Sequence, residues 1–206
     1  MTGYNATRKD FDEIFGKRGD TRGEQQDLIK DTRAREVIVY FSGQALTLNG
    51  GRDVVLLPSD ADAGKPDTGV RLSSLYNALA RMGVTHLRLY LDAPFKNGDD
   101  VERVNVEPKV GPAGPLTPRN WVTLSAAGDT FKPGKTKRPR SVFTDSLVTG
   151  LRGVADTTGD GDFDGTVTAQ ELYDFARGQA EEAAKRSEKA PTPAFHGVPG
   201  ETLRAY

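Results

Sequence analysis

Val37-Ile38-Val39-Tyr40-Phe41-Ser42-Gly43-Gln44-Ala45 and Leu87-Arg88-Leu89-Tyr90-Leu91-Asp92-Ala93-Pro94-Phe95 decide how this chain is read. The unbroken apolar run Val37–Phe41 suits a strand buried on both faces of a parallel sheet, and Leu87–Leu91 gives the next strand. Between them Leu72, Leu75, Tyr76, Leu79 and Met82 recur at helical spacing up to Gly83. Strand, helix and strand at short range predict an α/β fold with helices covering a mainly parallel sheet. In open sheets of that kind function sits beyond the carboxyl ends of the strands. Ser42–Ala45 and Asp92–Phe95 lie at such ends, yet neither pairs a nucleophile with a base.

Working outward, Asn49-Gly50-Gly51 is a turn signal and Val54–Leu57 a second short strand closed by Pro58. Thr7, with Asp10 three residues on, precedes Phe11, Ile14 and Phe15, so residues 7–15 read as a short amphipathic helix ending at Gly16. Gly23–Asp31 has room for another helical turn. Residues 96–120 are rich in Gly, Pro and charge and form a long excursion; Trp121–Leu124 is a strand, and Val142, Phe143, Leu147 and Leu151 mark a helix ending near Gly153. A last helix starts at Thr168, which with Glu171 makes a capping box. The tail, Ala190–Tyr206, carries prolines and is expected to be irregular. No internal repeat is visible.

The 206 residues fit one domain with trimmings. With 28 basic and 29 acidic residues the net charge of −1 supplies no global field to attract nucleic acid or an anionic membrane. No apolar stretch reaches the length of a membrane span, and Met1–Asp12 is too polar for a signal peptide, so the chain as given is expected to be soluble. It contains no cysteine and two histidines, which removes disulfides, thiolate metal sites and thiol nucleophiles and leaves the compartment open.

Five segments stand in an order that matches one family. They are Val39-Tyr40-Phe41-Ser42-Gly43-Gln44-Ala45, Leu57-Pro58-Ser59-Asp60, Leu91-Asp92-Ala93-Pro94-Phe95, Val122-Thr123-Leu124-Ser125-Ala126 and Phe143–Leu151. Residues 5–193 thereby resemble the caspase-like cysteine peptidases of the bacterial metacaspase type. Their corresponding segments read V-x-Y-S-G-H-G, L-P-x-D, L-D-A-C-F-S-G, V-x-L-x-A and F-T-x-x-L-x-x-G-L. A caspase histidine is expected about 50 residues upstream of the cysteine, the offset between Gln44 and Pro94. The resemblance implies a three-layer sandwich with a mainly parallel central sheet. It divides the chain into a core at 1–153, with a large-subunit-like part at 5–98 and a small-subunit-like part at 119–153, an acidic loop with a C-terminal helix at 154–186, and a tail at 187–206.

The departures decide the expected function. The family's dyad needs a histidine to accept the thiol proton and a thiolate to attack the peptide carbonyl. Gln44 and Pro94 occupy those positions, so both members are lost, and Ala45 stands where the family has glycine. His86 lies at the start of its strand, roughly 20 Å from the catalytic end at ~3.3 Å per residue, and His196 lies in the tail. Asp92 survives. In the family this aspartate lines the pocket for a basic substrate residue, so the resemblance implies an Arg or Lys recognition site at Asp92, Ser42 and Gly43 without cleavage; the alternative is a carboxylate that caps a strand end. The family domain also begins with a strand, a helix and a second strand that this chain lacks, which would leave Val37–Phe41 with an uncovered edge that invites pairing.

Asp160-Gly161-Asp162-Phe163-Asp164-Gly165-Thr166-Val167-Thr168-Ala169-Gln170-Glu171 fits the 12-residue EF-hand loop, with acids at its first, third, fifth and last positions and glycine at the sixth. Asp160, Asp162, Asp164, the Thr166 carbonyl and Glu171 would converge on Ca²⁺, which takes roughly six to eight oxygen ligands. Phe163 is bulky for its place, and a turn at Thr157–Gly159 replaces the usual entering helix, so a helix-capping acidic turn is the alternative. Lys132, Lys135, Lys137, Arg138 and Arg140 crowd another loop without interleaved aromatics, which reads as solvated surface rather than a nucleic-acid contact.

The expectation is therefore a catalytically inactive pseudopeptidase that binds a peptide or protein partner and carries a calcium loop. The rival is an assembly subunit whose exposed strand pairs with missing N-terminal strands supplied by a partner, or with a second copy of itself. An active hydrolase using Ser42 with Asp60 lacks a base of suitable pKa.

Overall fold

The computed structural model describes residues 6–16, 27, 29, 31–81, 83–98, 120–127, 141–159, 161–185 and 192–205. Asp160, the basic loop at 132–140 and most of the 96–120 excursion lie outside the described residues. The chain is α/β, and it crosses repeatedly between two compact units. One comprises 1–38, 43–88 and 95–119, the other 39–42, 89–94 and 120–206.

The first unit is built on a mixed sheet of β2 (Gln44–Leu48), β3 (Asp53–Leu57), β4 (Val70–Arg71) and β6 (Phe95–Asn97), in the order β4-β3-β2-β6. β2 and β3 form an antiparallel hairpin in which Gln44 faces Leu57 and Leu48 faces Asp53. Its turn holds Asn49 at φ 53°, Gly50 at 63° and Gly51 at 80°. Left-handed backbone at consecutive positions is what Asn and Gly tolerate and β-branched residues do not. β6 adds in parallel beside β2. Leu46, Leu48, Val55 and Leu57 form the apolar centre of this sheet, each such side chain contributing roughly 1.5–3 kcal/mol by leaving water.

Two α-helices of this unit lie wholly within the described residues. α1 (Arg8–Phe15) starts at Thr7, whose hydroxyl accepts the Asp10 amide while the Asp10 carboxylate accepts the Thr7 amide, the capping box read from the sequence. α2 (Leu72–Arg81) buries Leu72, Leu75, Tyr76 and Leu79, and Gly83 follows at φ 80°.

The second sheet orders β1 (Glu36–Ser42), β5 (His86–Asp92), β7 (Asn120–Ala127) and β9 (Thr192–Gly197) as β1-β5-β7-β9. The interior strands justify their composition: in β7, Val122 to Ala126 are all fully buried. Val122, Leu124 and Ala126 pack with Phe143 and Leu147 of α3 (Val142–Thr149), with Leu172 of α4 (Ala169–Ala184) and with Val167 of β8 (Thr166–Thr168). A π-type turn at Gly150–Val154 follows α3, with Gly153 at φ 104°.

The described strands form two mixed four-stranded sheets and one two-stranded sheet, with Gln44–Leu48 a strand of its own. Two expectations need correction. β1 is not buried on both faces. It stands at the outside of the β1-β5-β7-β9 order, with Ile38 59% and Tyr40 48% exposed. The tail is not irregular: β9 pairs antiparallel with β7, and β10 (Thr202–Ala205) pairs antiparallel with β8. Pro193 misled the reading, but it falls on an outer strand, where a missing N–H breaks no ladder on the open side. Among the described residues no helix is long and apolar enough to cross a membrane.

Candidate functional site

Asp92 is the last residue of β5, an interior strand, and its side chain is buried with 6% exposure. Its Oδ2 accepts the hydroxyls of Ser141 at 2.6 Å, Thr144 at 2.6 Å and Tyr40 at 3.2 Å. These come from two elements. Tyr40 lies on β1, Ser141 is the N-cap of α3, and Thr144 is in the first turn of that helix. The Tyr40 and Thr144 hydroxyls are themselves 2.7 Å apart. Oδ1, by contrast, is buried and receives no hydrogen bond among the described residues, and the same holds for Ser125 Oγ on the neighbouring strand β7.

An unmatched buried acceptor costs roughly 1–3 kcal/mol. The arrangement therefore resembles a carboxylate held in place by one oxygen while the other awaits a donor. Burial pushes the Tyr40 phenol above its ordinary pKa; the hydrogen bond with Thr144 opposes this, and the nearby Asp92 charge adds to it. The phenol thus stays neutral and able to donate.

Gln44 opens β2, exposed, and its Oε1 accepts Lys96 Nζ at 3.4 Å. Pro94 is half-buried after β5, and Ala45 is fully buried. Ser42 ends β1, exposed, and Gly43 follows it. Asp60 accepts the Arg8 amide at 2.7 Å, which engages it at the start of α1. His86 opens β5 with Nδ1 3.0 Å from Thr85 Oγ1, and His196 faces Thr123 across the β7–β9 pair.

The acidic loop is organised around a residue that the motif did not include. Asp156 is buried, and its carboxylate accepts the amides of Asp164 at 3.1 Å and Gly165 at 3.3 Å. Carboxylate oxygens of Asp156, Asp162 and Asp164 lie within 4.8 Å of one another, and these three residues could hold a metal ion. Glu171 is placed differently from the EF-hand expectation. Its Oε2 accepts the Thr168 amide and hydroxyl, each at 2.8 Å, and its Oε1 accepts the Asp162 amide at 3.3 Å. Thr166 donates its amide and its hydroxyl to Asp164 Oδ1. Asp160 lies outside the described residues.

No protein-family model matches this chain, and no curated protein matches it. The likeness to the caspase-like peptidases therefore stands on the five segments alone. Asp156 had a signal in the sequence, an acid placed shortly before an Asp-x-Asp-x-Asp run, but its burial is a property of the folded chain and was not legible there.

Proposed function

We propose that this chain is a noncatalytic, caspase-like binding module that recognises a basic side chain of a peptide or protein partner. The observation that supports it most is the Asp92 carboxylate: three hydroxyls hold one oxygen while the other is desolvated and unmatched. A guanidinium or ammonium group supplies the donors and the charge that such an oxygen lacks. Turnover is not part of the reading, because the chain has no cysteine and Gln44 and Pro94 offer neither a proton acceptor nor a nucleophile. Because the carboxylate is closed over by Tyr40 and α3, ligand entry has to displace the half-exposed Tyr40 side chain.

The acidic loop supplies the second element of the proposal, a Ca²⁺ held by Asp156, Asp162 and Asp164. Hard carboxylate oxygens suit Ca²⁺, and three acids in close approach repel one another without a cation.

The test is binding of short Arg- or Lys-containing peptides to wild type and Asp92→Asn, followed by calorimetry. Affinity should fall about tenfold or more in the variant, with every peptide recovered intact. Equal affinities, or cleavage by protein free of contaminating proteases, would overturn the proposal.

A second reading is favoured by Ile38 and Tyr40, large apolar side chains exposed on the outer strand β1. An assembly subunit would pair this edge with a partner's strand or with a second copy. Ile38→Lys would then abolish association in sedimentation experiments and leave peptide affinity unchanged.

A further inference from the structure

The cleft between α1 and α2 is unrelated to Asp92 and to the acidic loop, and its construction argues for a ligand. It encloses about 220 Å³, more than the ~150 Å³ apolar cavity that accommodates a benzene ring. One wall is aromatic: Phe11 and Phe15 of α1, with ring centroids 6.0 Å apart. The opposite wall is a stripe of α2, Ser74, Asn77, Ala78 and Arg81, at the three- and four-residue spacings that share a helix face.

The charges in the cleft are unequal in what they have left to offer. Asp12 pairs with Arg8 Nε at 2.9 Å, and Asp67 pairs with Arg71, which also holds Asp53 at 3.1 Å. Arg8 additionally donates to the carbonyls of Asp67 and Gly69. These bonds fix the wall at residues 66–69. Gly69 seats it tightly, since a Cβ there would meet Val55 Cγ1 at 2.4 Å and the Leu56 carbonyl at 2.8 Å. Arg81 alone among the three lining arginines has no ion-pair partner among the described residues. The surplus is one guanidinium at the mouth of a preorganised cleft with an apolar side.

We infer that this cleft binds a small monocarboxylate with an aromatic or aliphatic body. The carboxylate would pair with Arg81, assisted by the polar side chains of Ser74 and Asn77, while the apolar body lies against Phe11 and Phe15. Guanidinium and carboxylate match in geometry and charge, and the two rings give the body an apolar wall in an otherwise polar cleft. Ala78 keeps the cleft open because it has no side chain beyond Cβ.

The experiment titrates the full chain with 4-phenylbutyrate and, in parallel, with its neutral amide 4-phenylbutanamide, following backbone amide shifts by NMR. Expected are saturable shifts on α1 and α2 with the acid, affinity at least about tenfold weaker for the amide, and the same loss in Arg81→Gln, an exposed position where folding is unaffected. Ala78→Leu should close the cleft and remove binding; should that variant fail to fold, Arg81→Gln decides. Absence of saturable binding at millimolar acid, or equal binding of acid and amide, or undiminished binding by Arg81→Gln, would each overturn the inference.

Discussion

Ser141 Oγ donates to Asp92 Oδ2 at 2.6 Å and accepts the Thr144 amide at 3.0 Å, so one hydroxyl both caps α3 and holds the buried carboxylate. A hydroxyl has one proton and two lone pairs, and both functions are compatible. Ser141→Ala removes a helix cap worth about 1 kcal/mol and a hydrogen bond to a charged group worth roughly 1.5–3 kcal/mol. Urea unfolding should therefore show a loss of about 2–4 kcal/mol. In an Asp92→Ala background the same substitution should cost only the cap, about 1 kcal/mol. Equal losses in the two backgrounds would mean that the contact carries no energy.

The two possible ligand sets in the acidic loop make opposite predictions. If Asp156, Asp162 and Asp164 hold the cation, millimolar CaCl₂ should raise the melting temperature of wild type, by mass action about 2.7 kcal/mol at a hundredfold excess over Kd. Asp162→Asn should lose that response, and in metal-free buffer it should be neutral or mildly stabilising because a like charge is gone. Glu171→Gln should keep the response while losing part of the capping box, since its carboxylate engages Thr168 and the Asp162 amide. A calcium response abolished by Glu171→Gln and retained by Asp156→Asn would restore the EF-hand set.

Gly161 tests how tightly the loop wraps Asp156. A Cβ at Gly161 would fall 2.1 Å from the Asp156 carbonyl oxygen, a backbone atom that cannot rotate away. Gly161→Ala should cost roughly 1–3 kcal/mol, as overpacking does, and should abolish any calcium response by displacing Asp156. Gly178 is the control. It is exposed within α4, a Cβ there meets nothing within 4 Å, and Gly178→Ala should raise stability by up to about 1 kcal/mol. Thermal melts of the two variants should move in opposite directions.

The elements that local chemistry dictates were legible in the sequence. Both capping boxes, Thr7 with Asp10 and Thr168 with Glu171, form as read, because each closes within one turn and needs no tertiary partner. The runs that became β3, β5 and β7 declared themselves by composition, since interior strands demand continuous apolar character. β2 did not. Gly43 marks a break after β1, but a break does not say that the chain will join a different sheet. β9 was hidden by Pro193, tolerable only because that strand is outermost. At the site, Asp92 was singled out by the resemblance to the caspase-like peptidases, whereas its hydroxyl partners Ser141 and Thr144 come from some fifty residues further along. Asp156 likewise acquires its role through burial, a property of the packed chain.

Tyr40 offers a pH test of the same cluster. Burial chiefly, and the adjacent Asp92 charge in addition, raise its pKa above the ordinary phenol value of 10.0, against the lowering effect of the Thr144 hydrogen bond. A neutral acid whose folded pKa is raised keeps its proton after the unfolded chain has lost it. At pH below 10 both states are protonated and the shift has no effect on stability; above 10 the folded state binds more protons than the unfolded one, and stability falls as pH rises. Ultraviolet titration of the phenols should show a late-titrating component that Tyr40→Phe removes. Asp92→Asn should move that late titration toward lower pH by removing the neighbouring charge while leaving burial in place. The Tyr40→Phe variant should also lose less stability than wild type between pH 10 and 11. A wild-type titration with every tyrosine near 10, or one that Asp92→Asn shifts upward, would show that the carboxylate and the phenol do not share the buried cluster.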